Sequence, residues 1–317
     1  MILAGAGLYG QSQPPTTGAQ YWSSSAPTCS GFTGNSFVRL TGPLTIKDAS
    51  GATVGFSCLA SGTFAWLAAG GTWSTTIRAS APASGAIGVD YTFYDTSGNR
   101  MSLDNTSPNG MASSNDVSFA LNVNQPSELR LLGNPGDAPQ YGNTQTGSVY
   151  AEFFCPDALT CELVLPQLLY SFLPIKPWSL SVPIAWDSFF SELQTQGITN
   201  QWSAVGVNDA THFVTLVILN QSSVASIYTV SVYDSNGALA GQGTTPSIAG
   251  FNATTLEGGT LGVALSSLIT TPLPSGVLKI TVNGGANSSS VSVLQFNGDS
   301  ATSLQVSYDA PPNSNVF

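Results

Sequence analysis

Charge is what this chain has least of. Only 8% of its 317 residues are Asp, Glu, Lys or Arg, against about 25% in an ordinary globular protein. Lysine is confined to Lys47, Lys176 and Lys279, and His212 is the single histidine. With 7 basic and 17 acidic residues, the net charge is −10. Nucleic-acid binding needs clustered Lys and Arg to neutralise phosphates, so that partner class is excluded. An anionic membrane surface is disfavoured for the same reason. No run of 18 apolar residues occurs, so no membrane insertion is expected. Helical patterns are scarce too. Only Ser188–Thr195 suggests two turns, with Asp187 as N-cap.

What is present is a sparsely charged, apolar-rich chain: 42% hydrophobic, 10% aromatic, with 33 glycines. Its polar surface must be built from Ser, Thr, Asn, Gln and Gly. The length suits two domains of roughly 150 residues, each able to bury a core.

The chain also contains itself twice. Thr76-Ile77 recurs as Thr215-Leu216, Ser84 as Ser223, Ala86 as Ala225, Tyr94-Asp95 as Tyr233-Asp234 and Gly98 as Gly237, always 139 residues apart. Val89-Asp90-Tyr91-Thr92-Phe93-Tyr94 and its copy Tyr228-Thr229-Val230-Ser231-Val232-Tyr233 alternate apolar and polar residues. That period predicts half-buried antiparallel strands with one solvated face. Both run into turns, Asp95-Thr96-Ser97-Gly98 and Asp234-Ser235-Asn236-Gly237. There Asp caps its own backbone and Gly accepts positive φ.

Further strands are expected at 38–46, 52–59, 117–123, 148–154, 161–165, 213–219, 277–282, 290–296 and 303–308. Short strands with turn signals between them give an all-β chain: two tandem antiparallel β-sandwich, immunoglobulin-like domains behind an extended N-terminal arm. The boundaries read as an arm over 1–35, domain 1 over 36–173 and domain 2 over 174–317. Pro43-Leu44-Thr45-Ile46 is matched by Pro183-Ile184-Ala185-Trp186, 140 residues on, as the candidate first strand of each unit.

Four cysteines in an uncharged, Ser/Thr-rich chain point to an oxidising, extracytoplasmic setting. Three pairings are open. The local one, Cys29 with Cys58 and Cys155 with Cys161, is preferred. Its longer loop contributes roughly 3 kcal/mol by chain entropy. No Cys-x-x-Cys or neighbouring His supports zinc, so no metal and no cofactor is expected. The Asp turns are too short and too poor in acids for an EF-hand. A peripheral calcium ion at Asp95 or Asp234 is the minority reading beside a plain turn.

Catalytic groups are thin. His212 aligns with Trp73 in the other copy, and no Gly-x-Ser-x-Gly elbow exists, so serine hydrolysis is not expected. A glycosidase needs only two carboxylates. Yet none of Glu128, Glu152, Glu162, Glu192 and Glu257 recurs at the 139 spacing. Glu152 is the most enclosed of them, and an acid on a solvated strand face is the default. The chain is therefore read as a non-enzyme. Trp22, Trp66, Trp73, Trp178, Trp186 and Trp202, with Tyr21 and Tyr170, suit glycan stacking or packing between domains or subunits; packing is preferred. Asn105, Asn220, Asn252 and Asn287 open glycosylation sequons.

The segments Thr211–Gln221 and Tyr228–Ala238 resemble secreted β-sandwich repeats of acidobacteria and related soil bacteria, where an apolar "TTLVLVN"-like strand precedes an aromatic-rich strand and a "D-x-x-G" turn. The first copy departs from this pattern at Arg78. The resemblance spans about 30 residues per copy. It implies an extracellular immunoglobulin-like module and transfers no catalytic residue.

Sheet edges are normally blunted by Lys, Pro or inward charge, and this chain has few charges to place there. Self-association is therefore expected, into a filament or surface layer. Met1, Ile2, Leu3, Leu8, Tyr9, Tyr21 and Trp22 of the arm are candidate interface residues, adding a strand to a neighbour's edge. Met1–Gly10 lacks the basic region of a secretory signal and reads as the stub of one, as the start of an apolar arm, or as an incidental apolar terminus. A glycan-binding adhesin and a viral capsid or tail protein are the alternatives.

Overall fold

The computed structural model describes residues 38–47, 53–71, 73–81, 87–121, 123, 125–133, 143–155, 160, 164, 166–172, 179–186, 201–251, 257–284, 289–296, 301–304 and 306–308. These residues are almost all strand, arranged in four sheets. A short helix, α1 (Leu265–Leu268), follows one of the strands.

The first sheet runs β1 (Val38–Lys47), β2 (Thr53–Ala69), β9 (Gln145–Cys155), β4 (Gly88–Asp95), β7 (Asp116–Ala120), with β12 (Ala185–Trp186) also on β2. The second runs β11 (Ser179–Pro183), β10 (Gln167–Phe172), β3 (Trp73–Ala79), β8 (Ser127–Gly133), β5 (Leu103–Ser107), β6 (Gly110–Ser114). In the second half, β21 (Val306–Tyr308), β13 (Gln201–Asn208), β18 (Gly276–Gly284), β15 (Tyr228–Tyr233) and β16 (Leu239–Thr244) form the third sheet. The fourth contains β20 (Ala301–Leu304), β19 (Ser289–Phe296), β14 (Phe213–Asn220) and β17 (Thr260–Ala264). Every pairing between these strands is antiparallel.

The two halves follow the same strand order. The run β2-β9-β4-β7 corresponds to β13-β18-β15-β16, and β11-β10-β3-β8 corresponds to β20-β19-β14-β17. The 139-residue repeat places β3 on β14 and β4 on β15, so duplicated sequence occupies equivalent positions. The strand flanking β2 is β1, from before it in the chain, whereas the strand flanking β13 is β21, from the far end. Pro43–Ile46 and Pro183–Trp186 are therefore not equivalent starting strands. The first lies in β1 and the second spans β11 and β12, while both β1 and β12 pair with β2. Strands β11 and β12 follow residue 174 in the chain yet pair within the first-half sheets.

One apolar cluster joins the facing sides of the first two sheets, with Tyr91, Phe93, Phe119 and Phe153 against Ile77, Leu129, Leu131 and Leu168. A second joins the third and fourth sheets, with Val230, Val232, Leu278 and Ile280 against Leu216 and Ile218. Strand β14 serves both clusters. Leu216 and Ile218 face the second, while Val217 and Leu219, with Leu294 of β19, enter the first. A strand buried on both faces must read as a continuous apolar run, and Leu216-Val217-Ile218-Leu219, all four buried, does. Each such buried side chain contributes roughly 1.5–3 kcal/mol, so the halves are coupled through this strand. Hydrogen bonds add to the junction: Thr260 Oγ1 donates to Ala65 O at 2.6 Å and Gln221 Nε2 to Thr63 Oγ1 at 2.8 Å.

Among the described residues no helix is long and apolar enough to cross a membrane. The helix expected at 188–195, and the arm over 1–35 with Met1, Ile2, Leu3, Leu8, Tyr9, Tyr21 and Trp22, lie outside the described residues.

Candidate functional site

The duplicated turns have the same internal wiring. Asp95 Oδ1 accepts from the N–H groups of Ser97 at 2.8 Å and Asn99 at 2.9 Å, and Gly98 N donates to Asp95 O at 3.0 Å. Asp234 Oδ1 accepts from Asn236 at 2.8 Å and Ala238 at 2.9 Å, and Gly237 N donates to Asp234 O at 3.0 Å. Gly98 and Gly237 sit at φ 84° and 79°, a region that costs an L side chain about 1–2 kcal/mol. Both aspartates spend their Oδ1 on backbone amides, which is turn chemistry. No group of three or more metal-ligating side chains occurs among the described residues.

The surroundings of the two turns differ. A Cβ on Gly98 would lie 2.1 Å from the Glu257 carbonyl oxygen, while one on Gly237 would meet nothing within 4 Å. The first turn is the seat of the second half, reinforced by Thr260 N donating to Thr96 O at 3.0 Å. The second turn is open.

The outward face of the first sheet departs from the alternation rule. β4 was expected to show one solvated side, yet Asp90 and Thr92 are 2% and 7% exposed. Asp90 lies opposite Glu152 on one neighbour and Ser118 on the other, and Ser61 lies opposite Glu152. The result is a polar row across four strands. Glu152 is 6% exposed, so it is not the solvated strand acid that its context favours. Burial pushes the Asp90 carboxyl up to about 7, and the nearby Asp116 carboxylate adds to the rise. Ser118 Oγ, donating at 2.9 Å, and the Arg100 guanidinium oppose it. The equivalent row in the second half is Gln201, Asn283 and Thr229. The strand framework therefore forms equally well without acids.

His212 belongs to the β13–β14 turn. Its Nδ1 lies 2.9 Å from both Asp209 carboxylate oxygens and 3.0 Å from Thr211 Oγ1. Asp209 Oδ1 also accepts from the N–H groups of Thr211 at 2.7 Å and His212 at 2.8 Å. These contacts, the Thr211 amide first, hold its carboxyl below the usual carboxylate range. A catalytic triad needs its acid on one ring nitrogen and its nucleophile on the other. Here the Asp209 oxygens and the Thr211 hydroxyl all approach Nδ1, so this acid and this hydroxyl do not bracket the ring as a triad would.

Glu128 pairs at the surface with Arg78, Nε to Oε1 2.7 Å. Glu257 is buried beside the first turn, and Glu162 and Glu192 lie outside the described residues. Asn105 and Asn220, both fully buried, cannot accept a glycan in the folded chain. The Asn105 amide donates to Leu103 O and Ser114 Oγ, and that of Asn220 to the carbonyls of Val224, Ile248 and Ala249. Asn252 and Asn287 lie outside the described residues.

Cys155 is buried at the end of β9, and among the described residues no cysteine is free. Its backbone lies opposite that of Cys58 on β2. Opposed antiparallel positions are about 4.5–5.5 Å apart, a span a disulfide bridges. Cys29 and Cys161 lie outside the described residues.

The sheet edges are the least guarded part of the molecule. Among the described residues β6 closes one end of the second sheet, pairing only with β5. Its sequence, Gly110-Met111-Ala112-Ser113-Ser114, holds no charge and no proline, its first four residues are exposed, and Met111 is 77% exposed. β16, Leu239-Ala240-Gly241-Gln242-Gly243-Thr244, closes the third sheet in the same uncharged way.

No family model matches this chain, and no curated protein does either. Among solved structures, the lectin from Pleurotus ostreatus in complex with GalNAc is 11% identical, with 76% of this chain and 77% of that one covered. Its TM-score of 0.14 is too low to carry an argument about fold or ligand.

Proposed function

We propose that this chain is an extracellular structural protein, two tandem immunoglobulin-like β-sandwich units that self-assemble into a filament or surface layer by strand addition. The observation that carries the reading is the edge strand β6, exposed, uncharged and free of proline. A strand edge of this kind offers a row of backbone donors and acceptors to another chain. The apolar arm, with Ile2, Leu3, Leu8 and Tyr9, supplies a donor strand, and a heterologous contact of this type propagates head to tail. The copies preserve turn wiring and core alternation and share no reactive group, as a building unit requires. A capsid or tail subunit is the same reading in a viral setting. The glycan-binding alternative draws less support, since Trp66, Trp73 and Tyr233 are half-buried and Trp202, Tyr91, Tyr94, Tyr150, Tyr170 and Tyr228 are buried.

Sedimentation velocity and negative-stain microscopy test this. Wild-type protein should form concentration-dependent polymers. Met111→Lys with Ala112→Lys, or removal of residues 1–30, should leave monomers with an unchanged circular dichroism spectrum. A wild-type chain that stays monomeric at high concentration, or polymers indifferent to both changes, would overturn the reading.

A further inference from the structure

An aromatic cleft opens between the two halves, on the outward face of the fourth sheet. Its volume is about 430 Å³, within the roughly 300–1,000 Å³ typical of small-molecule sites. One wall comes from the first half: Trp66, Trp73 and Tyr170. The other comes from Phe213, Val217 and Phe296 of the second. Trp73 and Tyr170 meet edge to face, with centroids 6.4 Å apart at 88°. Phe213 and Phe296 stack at 5.1 Å and 10°. Gly262 forms the floor, because a Cβ there would come within 2.8 Å of the Trp66 indole.

Three features define what fits. Among the described residues the lining carries no charged side chain, which disfavours ions. Among them Thr215 supplies the one aliphatic hydroxyl, and the Tyr170 hydroxyl is already committed to the Trp66 carbonyl. A sugar would bury hydroxyls without partners, each at a cost of about 1–3 kcal/mol. Finally, Phe213 remains 50% exposed, so packing between the halves does not account for it. Its counterpart in the first copy is Ser74, and that of Val217 is Arg78. The strand position itself therefore asks for neither aromatic nor apolar residues.

We infer that this cleft is a binding site for an uncharged aromatic small molecule, held between the Trp66–Trp73–Tyr170 wall and the Phe213–Phe296 pair. The site is independent of assembly and uses neither β6 nor the arm. The test is titration of the full chain with the neutral dye N-phenyl-1-naphthylamine. Dye emission and energy transfer from tryptophan report binding. Saturable binding of one dye per chain is expected. Phe213→Ala should weaken it about ten-fold through loss of one stacking surface, and Ala264→Phe should abolish it by filling the cleft. Met111→Ala, at an exposed apolar residue elsewhere, should change nothing. Non-saturable uptake overturns the proposal, as does binding that survives both cleft variants or falls equally with Met111→Ala. Far-UV circular dichroism verifies that each variant folds.

Discussion

Strands β3 and β14 are copies of one another, and they differ most at Arg78 and Val217. In β3 the outward residues Thr76 and Arg78 meet solvent, and Arg78 is satisfied by Glu128 on β8. In β14 the outward residues Val217 and Leu219 are buried in the core of the other half. Sequence identity persists where the fold alone is at stake, in the turn aspartates and glycines. It is lost on the outward face of this strand, where Val217 and Leu219 enter the other half's core. The halves are thus not beads on a string: the second lends its outward face to the first, and the first presents its turn and the end of β2 in return.

The largest effect should come from exchanging the two residues. Val217→Arg would bury an unpaired guanidinium and should cost about 3–5 kcal/mol in urea unfolding. Arg78→Val breaks only a half-exposed surface pair and should stay within about 1 kcal/mol. Equal losses would show that the outward faces are not as different as their burial implies.

A second contrast is Asp90 against its copy Thr229. Burial raises the folded-state pKa of Asp90 from 3.8 to about 7. The unfolded chain therefore releases this proton first as pH rises. The stability tied to Asp90 is complete below about pH 4 and is lost as pH climbs through about 7, amounting to about 4 kcal/mol. Melting temperatures at pH 4.5 and pH 8 should differ accordingly for the wild type. The difference should shrink in Asp90→Asn, which resembles the neutral row of the second half. A pH dependence untouched by Asp90→Asn would assign the loss to other groups.

The smallest test separates the two turns. Gly98→Ala adds a collision with the Glu257 carbonyl to the left-handed strain and should cost about 3 kcal/mol. Gly237→Ala carries the strain alone, about 1 kcal/mol. Matching melting curves for the pair would mean that the first turn does not seat the second half.

Much of this was legible in the residues. Alternation within the 139-residue repeat located β4 and β15, the apolar segment 213–219 located β14, and Asp-x-x-Gly located both turns, because local sequence decides such features. The burial of β14 on both sides was not read from its sequence. What escaped was the burial of Asp90, Thr92 and Glu152. Alternation reports which residues share a face and not how deeply that face is buried. Strands β3, β8, β10 and β13 were also not expected, and β5, β6, β16 and β17 were missed because their Ser, Gly and Asn content gives no period; their neighbours hold them in register. The acid row was invisible for a related reason, since Asp90 and Glu152 become neighbours only through the β4–β9 ladder.

Strand β14 also sets a timetable. The first core includes Val217, Leu219 and Leu294, and Thr260 donates across 195 residues to Ala65. During synthesis, at about 5–20 residues per second, the first half must wait on the order of ten seconds for these residues to leave the ribosome. For that interval the end of β2 is uncovered and competent to pair with the wrong chain. On the proposed assembly through strand edges, newborn chains would have to be kept apart until Leu294 has arrived.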